Sequence, residues 1–278
     1  MPYAENGAAK IYYETEGAGA PLLLIHGFTA QLVGWRAGLK AALVRAGFRL
    51  ILLDNRDVGL SQKFGGPDDV DGGYDLSDMA RDCVSVLDAL GVGKAHVMGQ
   101  SMGGMIAQLM ALEHPDRTAS AVFVYTTPNQ GFRVGPQPSP HPMSLRPERL
   151  AREAAIAAWL ERERECRSTA YMFDESWAAT LGALNFDRSY APDGNARQFH
   201  AMRRSYDRLP RLGEITLPTA ILHGREDRLL EYNGSIAMAQ AIPGAELHLY
   251  PGMGHELPAP LWEEFAAIAR RTAARAEA

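Results

Sequence analysis

Cysteine is scarce in this chain: there are two, Cys83 and Cys166. They make no disulfide framework, and neither sits in a glycine-rich or histidine-flanked turn, so both read as plain thiols. Long apolar runs are missing as well, and nothing approaches the ~18 residues of a membrane span. The start, Met1-Pro2-Tyr3-Ala4-Glu5, lacks the basic segment and apolar run of a signal peptide, so a cytoplasmic protein is expected. Charge of one sign is not in excess. A formal net charge of -5 offers no reason to expect nucleic acid or an anionic membrane as partner. Internal repeats and low-complexity tails are also lacking.

What is there suits an ordinary soluble globular chain, 46% hydrophobic and 22% charged. Its 278 residues can bury a large core and fit one big α/β domain, or a domain with an insertion. Oligomeric state stays open between monomer and homodimer.

Lys10 to Glu16 alternates like an edge strand. Pro21 to Ile25 is continuously apolar, as expected of a strand buried on both faces of a parallel sheet, and it ends in the turn His26-Gly27-Phe28-Thr29. An amphipathic helix from about Val33 to Ala46 leads to a second buried strand, Phe48 to Leu53, completing a right-handed βαβ unit. After a glycine-rich surface loop, Gly65 to Gly73, the helical period runs from Leu76 to Leu90, with Asp75 or Ser77 as N-cap. Strand, turn and helix follow at Ala95 to Leu112, then a strand at Ala119 to Tyr125. The alternation then breaks. Gly135 to Pro142 has proline at every second residue and reads as an extended connector, and 147–206 is helical throughout. Within it, Glu161-Arg162-Glu163-Arg164-Glu165 reads as a solvated helix face. Strands resume at Pro218 to Gly224 and Glu246 to Tyr250, separated by a helix to Ala241 and followed by one from about Pro258 to Ala274.

Three loops at the carboxyl ends of strands carry the chemistry. Gly99-Gln100-Ser101-Met102-Gly103 places a serine on a turn so tight that flanking glycines are needed to avoid collision. A serine hydroxyl needs an imidazole to take its proton and a carboxylate to orient that imidazole. His255, in Gly252-Met253-Gly254-His255, and Asp227, after His223-Gly224, supply these in the order serine, acid, histidine. Glu226 is the alternative acid, and His26 reads as ordering its own loop. The oxyanion donors are expected to be the backbone N–H groups of Met102 and Phe28.

These motifs together resemble the α/β-hydrolase fold family from about Ile11 to Ala274. The pattern Asp54-x-Arg56-Asp57-x-Gly59-x-Ser61, with Gly252 to Pro258, resembles its aclacinomycin methylesterase-like branch. The resemblance implies a mostly parallel twisted sheet with helices on both faces, core segments 1–128 and 212–278, and a helical cap at 129–211. It also implies that Asp54 and Arg56 organise the loop beside the nucleophile. No cofactor or metal is expected. The expected activity is cofactor-free hydrolysis of a carboxylic ester through an acyl-enzyme. Cleavage of carbon-carbon bonds, acyl transfer, perhydrolysis, and ligand reception with slow turnover are the alternatives. Aromatic and apolar side chains, namely Trp35, Phe132, Trp159, Trp177, Leu229 and Leu257, are candidates to line a pocket for a small to medium apolar substrate.

Overall fold

Continuous apolar runs become the centre of the sheet. The computed structural model describes residues 2–132 and 148–277. Its eight strands are β1 (Tyr3–Asn6), β2 (Ala9–Glu16), β3 (Ala20–Ile25), β4 (Phe48–Leu53), β5 (Ala95–Gln100), β6 (Thr118–Val124), β7 (Thr219–Gly224) and β8 (Glu246–Tyr250), in the order β1-β2-β4-β3-β5-β6-β7-β8. β1 and β2 are antiparallel to their neighbours and the rest are parallel. The expectation that Lys10 to Glu16 forms the edge is thereby corrected, since β1 pairs outside it through the turn at Gly7, whose φ of 58° suits glycine.

Strand side chains alternate between two cores. Leu23, Ile25, Ile51, Leu53 and Val97 face α2 (Leu76–Ala89), α3 (Met102–Glu113) and α7 (Tyr232–Ala241). Leu22, Leu24, Leu50, Leu52 and Met98 face α1 (Ala37–Arg45) and α8 (Trp262–Glu277). Burial of each such side chain contributes about 1.5–3 kcal/mol. α2 starts where the capping pattern puts it: Asp75 accepts the Ser77 and Asp78 N–H groups, and Asp78 reaches back to the Asp75 N–H. α1 starts later than its periodicity suggests. Leu32–Gly34 is a one-turn 3-10 helix, held out of α1 by the bond from Leu32 N–H to Asp54 Oδ1 (2.8 Å).

Between β6 and β7 come α4 (Arg152–Cys166), α5 (Glu175–Arg188) and α6 (Pro192–Arg204). The extended connector expected at Gly135 to Pro142 lies outside the described residues. Buried polar contacts fasten α5 and α6 to the loop after β4. Arg188 pairs with Asp54 (2.7 Å), Arg197 with Asp57 (2.8 Å), and Gln198 Nε2 donates to Arg56 O (2.8 Å). Among the described residues no helix is long and apolar enough to cross a membrane.

Candidate active site

The turn after β5 is strained in the way its glycines require. Ser101 sits at φ 55°, ψ -121°, a conformation that costs a non-glycine residue about 1–3 kcal/mol, and α3 begins at the next residue. A Cβ on Gly99 would lie 2.1 Å from Gly103 O, and one on Gly103 would lie 2.1 Å from Ile25 O. Two contacts with the end of β6 fix the serine backbone: its N–H donates to Val124 O (2.9 Å), and its carbonyl accepts Thr126 Oγ1 (2.7 Å). The hydroxyl therefore stands at the carboxyl edge of the sheet, on the first turn of a helix.

The loops after β7 and β8 bring acid and imidazole together. His255 Nδ1 lies 2.6 Å from Asp227 Oδ2, and Asp227 Oδ1 accepts the N–H groups of Leu229 (2.8 Å) and Leu230 (2.9 Å). A second imidazole shares the carboxylate. His223 Nε2 lies 3.2 Å from Oδ2, while its Nδ1 faces Ser235 Oγ at 2.6 Å. Burial alone would raise the Asp227 carboxyl pKa, but the His255 charge and the bonds from His223 and His255 hold it well below the usual carboxylate range. Glu226, the alternative acid, is exposed and accepts a bond from Thr169 Oγ1.

The β3 loop lies directly over the elbow, since a Cβ on Gly27 would come 3.2 Å from Ser101 Cβ. Gly27 N–H donates to His26 Nδ1 (2.9 Å) and Thr29 N–H donates to Gln198 Oε1 (3.0 Å), so no acceptor among the described residues takes the Phe28 N–H between them. The Met102 N–H is one of the four that open α3 and have no partner within the helix. Burial lowers the His26 pKa to about 4, which keeps this ring neutral beside Gln100, whose Nε2 is 2.8 Å from Nδ1. Tyr125, at φ 31°, donates its hydroxyl to Gln100 Oε1 and places its ring 4.5 Å from that of His255.

The segment after α4 holds the histidine loop. His255 N–H donates to Cys166 O (2.8 Å), Gly254 N–H to Ser168 Oγ (3.0 Å), and Thr169 and Ala170 N–H to Gly252 O. This corrects the reading of 161–165 as a solvated face. Arg162 and Glu163 are half-buried, and Glu163, its carboxyl raised by burial, feels the charges of Arg162, Glu256 and His255. Both cysteines are free, and burial pushes both thiols up.

Of the candidate pocket residues, Trp159 lines a cleft of about 210 Å³ between α4, α5 and the β3 and β4 loops. Trp35 is buried in the core, its ring 5.2 Å from that of His26. Phe132 packs on α7 at Gly234, Trp177 stacks under Arg36 at 4.9 Å, and Leu229 and Leu257 pack against the two cores. Asp54 accepts Leu32 and Leu60 N–H and Arg188, whereas Arg56 forks onto Asp82 with both bonds at 2.6 Å. Asn55, between them, reaches His26 O (3.0 Å), so the contact of this turn with the β3 loop runs through the asparagine. Sequence reasoning missed Tyr125, Gln100 and His223. A polar residue in the last two positions of a buried strand, as at Gln100 and His223, was the available signal. Among the described residues no group of three or more His, Cys, Asp or Glu is placed to hold a metal ion.

Residues 20–259 match the family model for the alpha/beta hydrolase fold. A Variovorax paradoxus (strain S110) protein, provisionally named carbamate hydrolase RutD, is 30% identical, with 88% of this chain and 89% of the relative covered. The 2-hydroxy-6-oxononadienedioate/2-hydroxy-6-oxononatrienedioate hydrolase of Paraburkholderia xenovorans (strain LB400) is also 30% identical, with 90% of this chain and 86% of the relative covered. Among solved structures, the enol-lactonase from Burkholderia xenovorans LB400 superposes with a TM-score of 0.77 over 100% of both chains at 22% identity, a likeness of fold.

Proposed function

The chain belongs to the α/β-hydrolase fold family, and from that premise we propose that it is a cytoplasmic serine hydrolase that cleaves a carboxylic ester of a small molecule. The observation that carries this reading is the 2.6 Å contact between His255 Nδ1 and Asp227 Oδ2, at the same sheet edge as the strained Ser101. Asp227 holds the imidazole with Nδ1 protonated, so Nε2 is the atom free to accept the serine proton.

Ser101 Oγ then adds to the ester carbonyl, and the oxyanion forms against the N–H groups of Phe28 and Met102. Each such donor typically contributes 10²- to 10³-fold in turnover. His255 passes its proton to the leaving alcohol, an acyl group stays on Ser101, and water enters with His255 again as base. Helices α4 to α6, within 129–211, act as the cap over a core of 1–128 and 212–278. The narrower likeness to the aclacinomycin methylesterase-like branch rests on the 54–61 and 252–258 motifs.

The name of the Paraburkholderia relative supports a second reading, in which the carbonyl attacked is that of a 6-oxo acid. Incubation with a p-nitrophenyl ester, followed by intact-mass spectrometry, tests the first reading. One acyl adduct on the wild type and none on Ser101→Ala, with turnover down by several orders of magnitude and unfolding unchanged, is the expected result. Full activity in that variant overturns it.

A further inference from the structure

The cleft beneath α4 and α5 has more hydrogen-bond donors than the protein can use. Arg162 lines it, its guanidinium 4.5 Å from the centre of the Trp159 ring, and it makes no hydrogen bond or ion pair among the described residues. The neighbouring arginine, Arg164, is by contrast paired with both Glu161 and Glu175. Trp159 Nε1, on the same wall, is buried without a partner among the described residues. So are both amide atoms of Asn185, a residue only 9% exposed that lines the same cleft. Unpaired buried polar groups cost about 1–3 kcal/mol each, so a cluster of them calls for an explanation. Most of these atoms are donors and one group carries a full positive charge. A guanidinium stacked on an indole leaves its N–H edge free for in-plane, two-pronged binding of a carboxylate.

We propose that the cleft walled by Trp159, Arg162 and Asn185 is a subsite for a carboxylate carried by the substrate. Thr29, the residue after Phe28, also lines the cleft, which places it beside the oxyanion loop. Its volume of about 210 Å³ suits one arm of a substrate rather than a whole one, the usual pocket being roughly 300–1,000 Å³. Glu148 stands on the same lining but is exposed to solvent, where its charge is screened. Glu163, next to Arg162, is the acidic charge felt most by that guanidinium, but it makes no ion pair with it among the described residues, and burial raises its carboxyl.

The kinetic arm of the test rests on the hydrolase reading above; the binding arm does not. The p-nitrophenyl monoester of adipic acid and the neutral p-nitrophenyl hexanoate present the same chain with and without a terminal carboxylate. Wild type should favour the adipate ester in kcat/KM, and Arg162→Met, which keeps the apolar stem on Trp159, should cut that preference by 10- to 100-fold. Arg164→Met should leave the preference unchanged. Adipate alone should raise the melting temperature of wild type and not of Arg162→Met, whether or not any ester is turned over. Equal losses on both esters, or equal adipate shifts in wild type and Arg162→Met, overturn the subsite. Adipate shifts that depend on Arg162, with no hydrolysis of either ester, overturn the esterase reading and leave the subsite standing.

Discussion

Asp227→Asn tests the centre of the site, because every lone-pair direction of this carboxylate is in use. Oδ1 takes two backbone N–H groups at 2.8 and 2.9 Å, and Oδ2 faces His255 at 2.6 Å and His223 at 3.2 Å. An amide has one accepting end and one donating end. If its NH₂ points at Leu229 and Leu230, two backbone donors lose their acceptor. If it points at the imidazoles, His255 must accept at Nδ1, and its proton moves to Nε2, the atom that has to receive the serine proton. Either way two hydrogen bonds to a charged group are lost, at about 1.5–3 kcal/mol each, so a destabilisation of about 3–6 kcal/mol is expected. At about 2 °C per kcal/mol for a chain of this length, the melting temperature should fall by roughly 6–12 °C. Turnover should fall by a factor on the order of 10⁴, the usual consequence of the wrong tautomer. The sign with pH follows from the depressed carboxyl. Its stabilisation is complete above the ordinary aspartate pKa of about 3.9 and is lost as pH falls below it. The gap between wild type and variant should therefore close in acid. Circular-dichroism melts at pH 7 and pH 3, with p-nitrophenyl ester hydrolysis at pH 8, measure all three effects. A melting temperature within 2 °C and turnover within about tenfold of wild type would refute the argument.

His26 should make the protein less stable in mild acid. With its pKa lowered to about 4, it resists protonation that the unfolded chain accepts below about 6.5, so this group removes about 2 kcal/mol between pH 7 and pH 5. Urea unfolding at both pH values should show that slope in wild type and a flatter one in His26→Gln. Gly103→Ala forces a Cβ to 2.1 Å from Ile25 O and 2.7 Å from His26 O, so it should cost about 1–3 kcal/mol and displace the Phe28 loop. Calorimetry together with esterase rates would detect both; an unchanged rate would contradict the placement of that loop. Ser168→Ala removes the hydroxyl that accepts Gly254 N–H, and should cost about 1 kcal/mol with a larger effect on kcat than on KM, read from steady-state kinetics.

The parts of the fold that were legible in the sequence are those where one local rule decides. β3, β4 and β5 lie in the interior of the sheet with helices on both sides, so both faces of each must be apolar, and the runs stand out. The nucleophile turn was legible because the clash at Gly99 and Gly103 is with backbone a few residues away or at a strand end, which leaves glycine no substitute. β1 was missed because four residues with one buried side chain have too little pattern to separate from a loop. The start of α1 was misplaced because Asp54 captures the Leu32 N–H, a contact that periodicity does not register.

The same distinction runs through the site. Ser101 follows directly on the end of β5, and Asp227 and His255 stand in the short loops just after β7 and β8, where glycines mark the spot. The proposed carboxylate subsite sits instead on α4 and α5, and α4 has no fully buried residue and hence no apolar stripe to say which way it faces. Its charged run was read as solvated because charge on a helix surface usually is. What turns Arg162 and Glu163 inward is docking on either side of them: Trp159, midway along the helix, against Gly182 of α5, and Cys166 O and Ser168, at and just past its end, on the His255 loop. Those partners lie between about 20 and 90 residues away in the chain, so only the folded structure brings them together. The covalent chemistry of such a fold is therefore written in its turns, whereas its choice of substrate depends on how independently inserted helices settle on those turns.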